Sequence, residues 1–200
     1  MKSIIAIVLA YLFGSIPWAL VIGKVFYNTD IRTLGSGNLG GTNAGRVLGK
    51  KAGVSVTILD GLKAFFVVLF CHYFAPQATI IAGLACCVGH CFPIFANFKG
   101  GKAVSTTMGY FLGIALFVTH HVFYQFFFIV ICFFIILYLT KMVSFSSMCA
   151  RFIAVIVSFL LHNDLSVSLS ILILFVFVIY RHKDNIKRIL AHNEKKITWM

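Results

Sequence analysis

The stretch SIIAIVLAYLFGSIPWALVIG, from Ser3 to Gly23, contains no Asp, Glu, Lys or Arg. As an α-helix it would cover roughly 30 Å, which is the thickness of the hydrocarbon core of a bilayer. A cleaved signal peptide would have a shorter apolar core that ends at a small-residue cleavage site. The segment therefore predicts a transmembrane helix.

Apolar stretches continue along the whole chain. Of its 200 residues, 60% are hydrophobic and only 11% are charged, which is not the composition of a soluble domain. The apolar runs are continuous rather than alternating, so a transmembrane β-barrel is disfavoured. We therefore expect an all-α integral membrane protein with about seven transmembrane helices in a single polytopic domain (residues 1–200), and a re-entrant segment in place of one span stays open. The spans after the first are expected at Gly53–Tyr73, Ala78–Phe98, Ala103–Thr119, Val122–Thr140, Ser147–Leu161 and Leu165–Tyr180.

Basic residues are concentrated on alternate loops. The chain has 17 Lys and Arg against five acidic residues, a formal net charge of +12. The connections at 72–77, 120–121 and 162–164 contain no Lys or Arg, so the positive-inside rule places the N-terminus outside and the C-terminus in the cytoplasm. Anionic lipid headgroups account for most of the excess charge, and nucleic acid is not an expected partner. The basic residues assigned to the inner side are Lys24, Arg32, Arg46, Lys50, Lys51, Lys99, Lys102, Lys141, Arg181, Lys183, Lys187, Arg188, Lys195 and Lys196.

Six cysteines lie mostly inside apolar spans and are expected to act as small buried hydrophobic residues. Cys86, Cys87, His90 and Cys91 have some of the spacing of a metal site. Adjacent cysteines on one helix point to different faces, however, and no second ligand cluster follows in the sequence. We expect neither a metal nor a cofactor.

The first inner loop, Leu34 to Gly53, contains seven of the 16 glycines. Its segment GSGNLGG, residues 35–41, matches the Gly-x-Gly-x-x-Gly pattern of dinucleotide sites, but no strand precedes it and the Walker spacing is also absent. Glycines let successive backbone N–H groups form a concave anion site. Arg46 would share a helix face with Asn43 if a helix begins near Thr42, and could then bind an oxyanion. A flexible connecting loop is the simpler alternative.

Three other polar clusters lie on the predicted inner side, together with a charged pair inside the second span. Asp60 and Lys63 are three residues apart and are expected to pair, with a structural role and a ligand contact equally open. His90 fits either a ligand contact or a structural hydrogen bond, and Pro93 is expected to end or kink the third span. The three clusters are GHCFPIFANFKGGK (89–102), SFSS (144–147), which would cap the next helix or bind ligand, and RHKDNIKRILAHNE (181–194).

These segments together resemble the PlsY family, the bacterial membrane acyl-phosphate:glycerol-3-phosphate acyltransferases. The resemblance runs nearly end to end and includes GSIPWAL, GSGNLGGTNAGR, LDGLKA, GHCFPIFANFKGGKAVST, VSFSS and RHKDNIKRI, in that order. Gly41, Ala103 and Ser105 are small-for-small departures. Residues 191–194, Ala-His-Asn-Glu, stand where the family usually ends in Gly-Thr-Glu, which leaves the role of Glu194 open.

The resemblance implies transfer of a fatty acyl group from acyl phosphate to the 1-hydroxyl of glycerol 3-phosphate, giving lysophosphatidic acid and phosphate. It also implies seven spans in the bacterial cytoplasmic membrane, an active site facing the cytoplasm, and contact with PlsX, the soluble enzyme that makes acyl phosphate. The catalytic residues expected are Ser36, Arg46, Lys102, His182 and Asn185. The substrate-binding residues expected are Gly37, Asn38, Gly40, Thr42, Asn43, Lys99, Gly101 and Ser144.

Two other functions fit parts of the sequence. A transporter or channel for a phosphorylated solute would also use broken helices and inner-loop donors, but no inverted repeat is evident and the outer loops offer no basic entry. An acyltransferase with a His-x-x-x-x-Asp dyad is excluded, because none of the seven His residues has Asp five positions later.

Overall fold

The computed structural model describes residues 1–197, and these residues form helices joined by short connections, with no strand among them. The chain divides into two compact units, the first comprising Met1–Val118 and the second beginning at Thr119. The first unit contains α1 (Lys2–Gly14), α2 (Trp18–Tyr27), α3 (Gly41–Val47), α4 (Lys50–Phe74), α5 (Thr79–Cys91) and α6 (Val104–Phe117). The second contains a π-helical turn (Phe123–Phe127) that continues into α7 (Phe128–Thr140), then α8 (Val143–Leu160), α9 (Leu165–Arg181) and α10 (Lys183–Leu190).

The helices confirm an all-α integral membrane architecture. Four described segments are long and apolar enough to cross a bilayer: Lys50–Phe74, Pro76–Ala96, Phe123–Thr140 and Val143–Leu160. The number rises to six if α1 with α2, and α9 with α10, each form one bent span. Helix α6 is also apolar, but its 14 residues make it shorter than a full span.

The first span is not the continuous helix expected from Ser3 to Gly23. It breaks after Gly14 and resumes at Trp18, with a bend of 41° between α1 and α2. Pro17 causes the break, because proline has no N–H to donate and its ring is incompatible with the preceding turn of a helix. The hydropathy of the segment predicted the membrane crossing but not the bend.

Other boundaries differ from the prediction by a few residues. Helix α5 ends at Cys91, so the predicted effect of Pro93 on the third span is confirmed. Helix α8 begins at Val143, four residues before the expected start, and Ser144–Ser147 therefore lie in its first turns. Ser146 and Ser147 donate to the carbonyls of Met142 and Val143, so these two hydroxyls do not cap the helix.

Small residues bring the helices of the first unit close together. A Cβ atom at Gly14 would overlap the backbone of Cys86, and one at Gly109 would overlap the carbonyl of Gly61. Membrane helices commonly pack by close backbone approach at small residues. Lipid tails are as apolar as the helix surfaces, so the hydrophobic effect does not drive helix association. This packing fixes α4 against α6 and α1 against α5.

Candidate active site

Asn43 organises the glycine-rich loop of the first unit. It is buried, and its side-chain Oδ1 accepts a hydrogen bond from the backbone N–H of Ser36 at 2.9 Å. Its Nδ2 donates to the carbonyl of Leu34 at 3.2 Å. Gly35 has a left-handed φ of +65°, and a side chain there would overlap the Asn43 amide. Asn43, expected among the ligand donors, therefore holds the loop in shape through its side chain.

Two backbone N–H groups of this loop have partners within the loop. The N–H of Ser36 binds Asn43, and the N–H of Gly37 binds the carbonyl of Leu34 at 3.0 Å. Both N–H groups are thus engaged inside the loop. The side chains of Ser36, Thr42 and Arg46 are exposed instead, so the loop presents side-chain donors on a fixed backbone.

Helix α3 confirms the expected helix near Thr42 and is held against the start of α4. Its Gly45 lies so close to Gly53 that a Cβ on Gly53 would approach the Gly45 Cα to 2.6 Å. Gly41 packs in the same way against the Thr57 hydroxyl. Because the two helices touch through glycines, the opposite side of α3 with Arg46 faces outward.

The segment that carries Lys102 is attached to the end of α5. The N–H of Gly100 donates to the carbonyl of Cys91 at 3.2 Å, and the N–H of Gly101 donates to the carbonyl of His90 at 3.1 Å. Lys102 follows directly and is half-buried, whereas Lys99 is exposed. Ala103 then adopts a left-handed φ of 55° before α6 begins, a conformation that glycine adopts without steric cost.

The expected ion pair in the second span is confirmed and has a third member. Lys63 Nζ lies 3.0 Å from Asp60 Oδ1, and both side chains are almost fully buried. His90 Nδ1 lies 3.4 Å from the same carboxylate oxygen. His90 therefore contacts the buried ion pair through its side chain.

In the second unit, Glu194 brings together two of the expected site residues. Ser144 Oγ and Asn185 Nδ2 both donate to Glu194 Oε1, at 2.7 and 2.6 Å. Arg188 Nε donates to Oε2 at 2.8 Å. Burial raises the pKa of Glu194, but these three hydrogen bonds outweigh it and hold the pKa below its ordinary value. Glu194 is therefore an ionised acceptor that fixes Ser144 and Asn185.

His182 is buried at the junction of α9 and α10. Its Nδ1 lies 2.8 Å from the carbonyl oxygen of Val178, which can only accept a hydrogen bond. In the neutral ring Nδ1 therefore carries the proton and Nε2 is an acceptor. This tautomer suits a histidine that receives a hydrogen bond from a substrate hydroxyl.

The comparisons with known proteins agree with this geometry. A protein-family model described as "Glycerol-3-phosphate acyltransferase" matches residues 4–192. The chain is 47% identical over 199 residues to the glycerol-3-phosphate acyltransferase of Bacillus subtilis, with 97% of each chain covered. It is 41% identical to that of Staphylococcus carnosus, with both chains fully covered.

The chain belongs to the glycerol-3-phosphate acyltransferase family. This membership makes it a membrane enzyme that acylates glycerol 3-phosphate in phospholipid synthesis, and the resemblance to PlsY is confirmed. A crystal structure of the integral membrane glycerol 3-phosphate acyltransferase PlsY in its glycerol 3-phosphate form matches with a TM-score of 0.90 at 32% identity, covering 99% of this chain and 96% of that one. Its lysophosphatidic acid form matches with a TM-score of 0.88.

Sequence reasoning left two residues of this acyltransferase without a role. The sequence leaves the role of Glu194 open, and only its contacts with residues distant in the chain reveal that role. Arg151 was not singled out at all, although it is among the largest fully buried side chains and donates to the carbonyl of Ser147 at 3.3 Å. A lone Arg in an apolar run is the signal that could have identified it.

Cysteines contribute packing to the acyltransferase. Cys71, Cys86, Cys87 and Cys91 are buried, while Cys132 and Cys149 are half-buried. Within residues 1–197, no group of three or more His, Cys, Asp or Glu side chains is placed to hold a metal ion.

The turn that returns Glu194 to its partners contains a strained residue. His192 has a left-handed φ of 54°, and its side chain is exposed. We expect His192→Gly to raise the free energy of unfolding by about 0.5–1 kcal/mol, because glycine adopts this conformation without steric cost. The thermal unfolding midpoint in detergent should then rise by about 2 °C. His192→Ala is the control and should give no gain; a lower midpoint for the glycine variant would contradict the prediction.

Proposed function

We propose that the acyl donor is an acyl phosphate and that the acyl group passes to the 1-hydroxyl of glycerol 3-phosphate, giving lysophosphatidic acid and inorganic phosphate. The observation that carries this proposal is the first loop. Asn43 holds its backbone rigid, and the side chains of Ser36, Thr42 and Arg46 are exposed as donors. Such a set suits a phosphate group, whose oxygens accept several charge-assisted hydrogen bonds.

The reaction needs no covalent enzyme intermediate. The hydroxyl oxygen attacks the carbonyl carbon of the mixed anhydride, the bond from that carbon to the bridging phosphate oxygen breaks, and phosphate departs with the electron pair. The hydroxyl proton passes to the departing phosphate. An acyl phosphate is already activated, so positioning and charge stabilisation are the enzyme's main contributions.

In the first unit, we assign the recognition of phosphate charge to Arg46 and Lys102, with Lys99 as a weaker contributor. Ser36 and Thr42 add hydroxyl donors. Asn43 supports them through the loop backbone. Asn38 and Gly40 add further groups, whereas Gly37 and Gly101, whose N–H groups are bonded within the protein, shape the backbone.

In the second unit, we assign the orientation of glycerol 3-phosphate to Ser144, His182 and Asn185. His182 offers Nε2 as an acceptor for a hydroxyl, because its Nδ1 faces the Val178 carbonyl. Ser144 and Asn185 are held in place by Glu194, so their geometry is fixed before substrate binds. Donors that are already oriented need little reorganisation when the substrate binds and reacts, which favours catalysis.

For the topology, we propose seven spans in the bacterial cytoplasmic membrane, with the N-terminus outside and the C-terminus and active site on the cytoplasmic side. The described helices provide six spans if α1 with α2, and α9 with α10, each count as one span. Helix α6 would be the seventh. The alternation of basic loops supports this orientation. A cytoplasmic active site would allow contact with PlsX, the soluble source of acyl phosphate.

One assay tests the donor. Purified enzyme is mixed with glycerol 3-phosphate and either palmitoyl phosphate or palmitoyl-CoA, and lysophosphatidic acid is measured. We expect product only with palmitoyl phosphate, together with an equal amount of inorganic phosphate. A reaction without glycerol 3-phosphate controls for spontaneous hydrolysis of the donor. Product formed only from the thioester would overturn the proposal.

A further inference from the structure

Three buried titratable side chains of the first unit have no part in the chemistry proposed above. They are Asp60 and Lys63 on α4 and His90 in the last turn of α5, and their side chains are 2%, 1% and 6% exposed. Charged groups at this depth are costly unless they are paired, and such groups in a membrane protein usually serve function. Their contacts connect them with the proposed site.

Lys63 occupies the break in the first span. Its Nζ donates to the carbonyl of Gly14 at 3.0 Å and to that of Ile16 at 2.9 Å. In an unbroken helix the Gly14 carbonyl would accept from the N–H of Trp18, but that group turns to Ile16 instead, at 3.2 Å. The ammonium group thus replaces a hydrogen bond that the break removes, and Asp60 neutralises its charge.

His90 connects this pair with the loop. Lys63 Nζ has three N–H groups, and it donates them to the two carbonyls and to His90 Nδ1. His90 Nδ1 also lies near both charged groups, at 3.2 Å from Lys63 Nζ and 3.4 Å from Asp60 Oδ1. Because an ammonium group can only donate, Nδ1 accepts a hydrogen bond from Lys63 Nζ, and this bond orients the ring.

The opposite edge of the imidazole packs against Gly101. A Cβ atom at Gly101 would overlap His90 Nε2, and the Gly101 N–H donates to the His90 carbonyl at 3.1 Å. His90 therefore touches the residue before Lys102 through both its ring and its backbone. A shift of the ring would displace the start of the Lys102 side chain.

We propose that Asp60, Lys63 and His90 are positioning residues that set the place of Lys102, by linking the break in the first span to Gly101. The proposal rests on the phosphate-binding role of Lys102 proposed above. It assigns the buried charges a function beyond holding α1, α4 and α5 together. Replacing the imidazole should therefore raise the KM of the same substrate as replacing Lys102.

The experiment is a double-mutant cycle of His90→Asn and Lys102→Gln, with KM and kcat measured separately for acyl phosphate and glycerol 3-phosphate. Asparagine keeps an amide oxygen near the Nδ1 position, where it can accept from Lys63, but removes the edge that faces Gly101. We expect His90→Asn to raise, by about tenfold, the KM of the substrate whose KM rises in Lys102→Gln. In the Lys102→Gln background the same change should add less than about twofold.

Two further variants complete the test. His90→Gln, whose amide reaches the Nε2 position, should be milder than His90→Asn, and His120→Asn, an exposed histidine in the second unit, is the control and should match the wild type. If neither His90 variant folds, Gly101→Ala probes the same contact from the loop and takes the place of His90→Asn in the cycle. If the increases in KM of the two single variants multiply in the double variant, or if His90→Asn has normal kinetics, the inference is overturned. The proposed role of Lys102 would then still stand. Normal kinetics in Lys102→Gln would overturn the proposed role of Lys102 and the inference with it.

Discussion

Arg46→Ala is expected to lower kcat/KM by about 100- to 1000-fold, because it removes a guanidinium from a loop that is built to present it. Asn43 and the glycine contacts between α3 and α4 hold the backbone without help from the Arg46 side chain. That side chain is exposed, so the thermal unfolding midpoint should not change. Steady-state kinetics and a thermal unfolding curve in the same detergent measure both effects. Lys102→Ala is expected to give a loss of similar size.

The matched control for Arg46 is Arg32, another exposed arginine in the first unit. Its guanidinium donates to both carboxylate oxygens of Asp30, and these hydrogen bonds lower the pKa of Asp30 to about 2. An exposed pair of this kind is worth little, and Arg32→Ala should leave turnover unchanged. Unchanged turnover in both Arg46→Ala and Lys102→Ala would remove the phosphate-binding role. An equal loss in Arg32→Ala would indicate a general effect of charge near the membrane surface.

Glu194→Gln is expected to lower kcat/KM at least tenfold and to reduce the free energy of unfolding by about 1–3 kcal/mol. All three neighbours of the carboxylate donate hydrogen bonds to it. A glutamine offers one oxygen and one NH₂ group, so at least one donor would face another donor. Ser144 and Asn185 would then lose their fixed orientation. Kinetics together with chemical or thermal unfolding separate the two effects.

The same carboxylate predicts a dependence of stability on pH. The folded pKa of Glu194 lies below its ordinary value of 4.5, so the ionised group adds stability above that pH. This contribution is lost as the pH falls from about 4.5 toward the folded pKa. The unfolding midpoint of the wild type should therefore fall more steeply in this range than that of Glu194→Gln.

The control for both measurements is Asp184→Asn, which neutralises an exposed carboxylate on α10. It should keep the kinetics and the acid response of the wild type. If Glu194→Gln shows the same acid response as the wild type, the hydrogen bonds of Glu194 contribute no net stability.

The membrane-spanning segments were predictable because hydropathy is a local property. Each apolar run from Gly53 onward appears as a helix in nearly the expected place. The bend at Pro17 and the early start of α8 at Val143 were not predicted, since they depend on which neighbouring groups hydrogen-bond to the freed backbone groups. Lys63 is such a neighbour, and it comes from a different helix.

The chemistry of the site was partly readable in the same way. Glycine, hydroxyl and basic residues in short segments indicate phosphate binding by their composition. The direction in which each group points could not be predicted from composition. The N–H groups of Ser36 and Gly37, for example, are bonded within the loop. Residue type indicates what a group can bind, and the backbone decides whether it faces a ligand.

By itself, the sequence determined the all-α membrane class, the approximate positions of the apolar helices and the resemblance to a phosphate-handling acyltransferase. These properties follow from apolar run length and from short motifs, which are carried by neighbouring residues. Only the tertiary structure decided that His90 joins the Asp60–Lys63 pair and which groups bind Glu194. The hydrogen bond from Ser144 to Glu194 joins residues 50 positions apart, and such a contact depends on how helices pack and rotate, which no local pattern encodes.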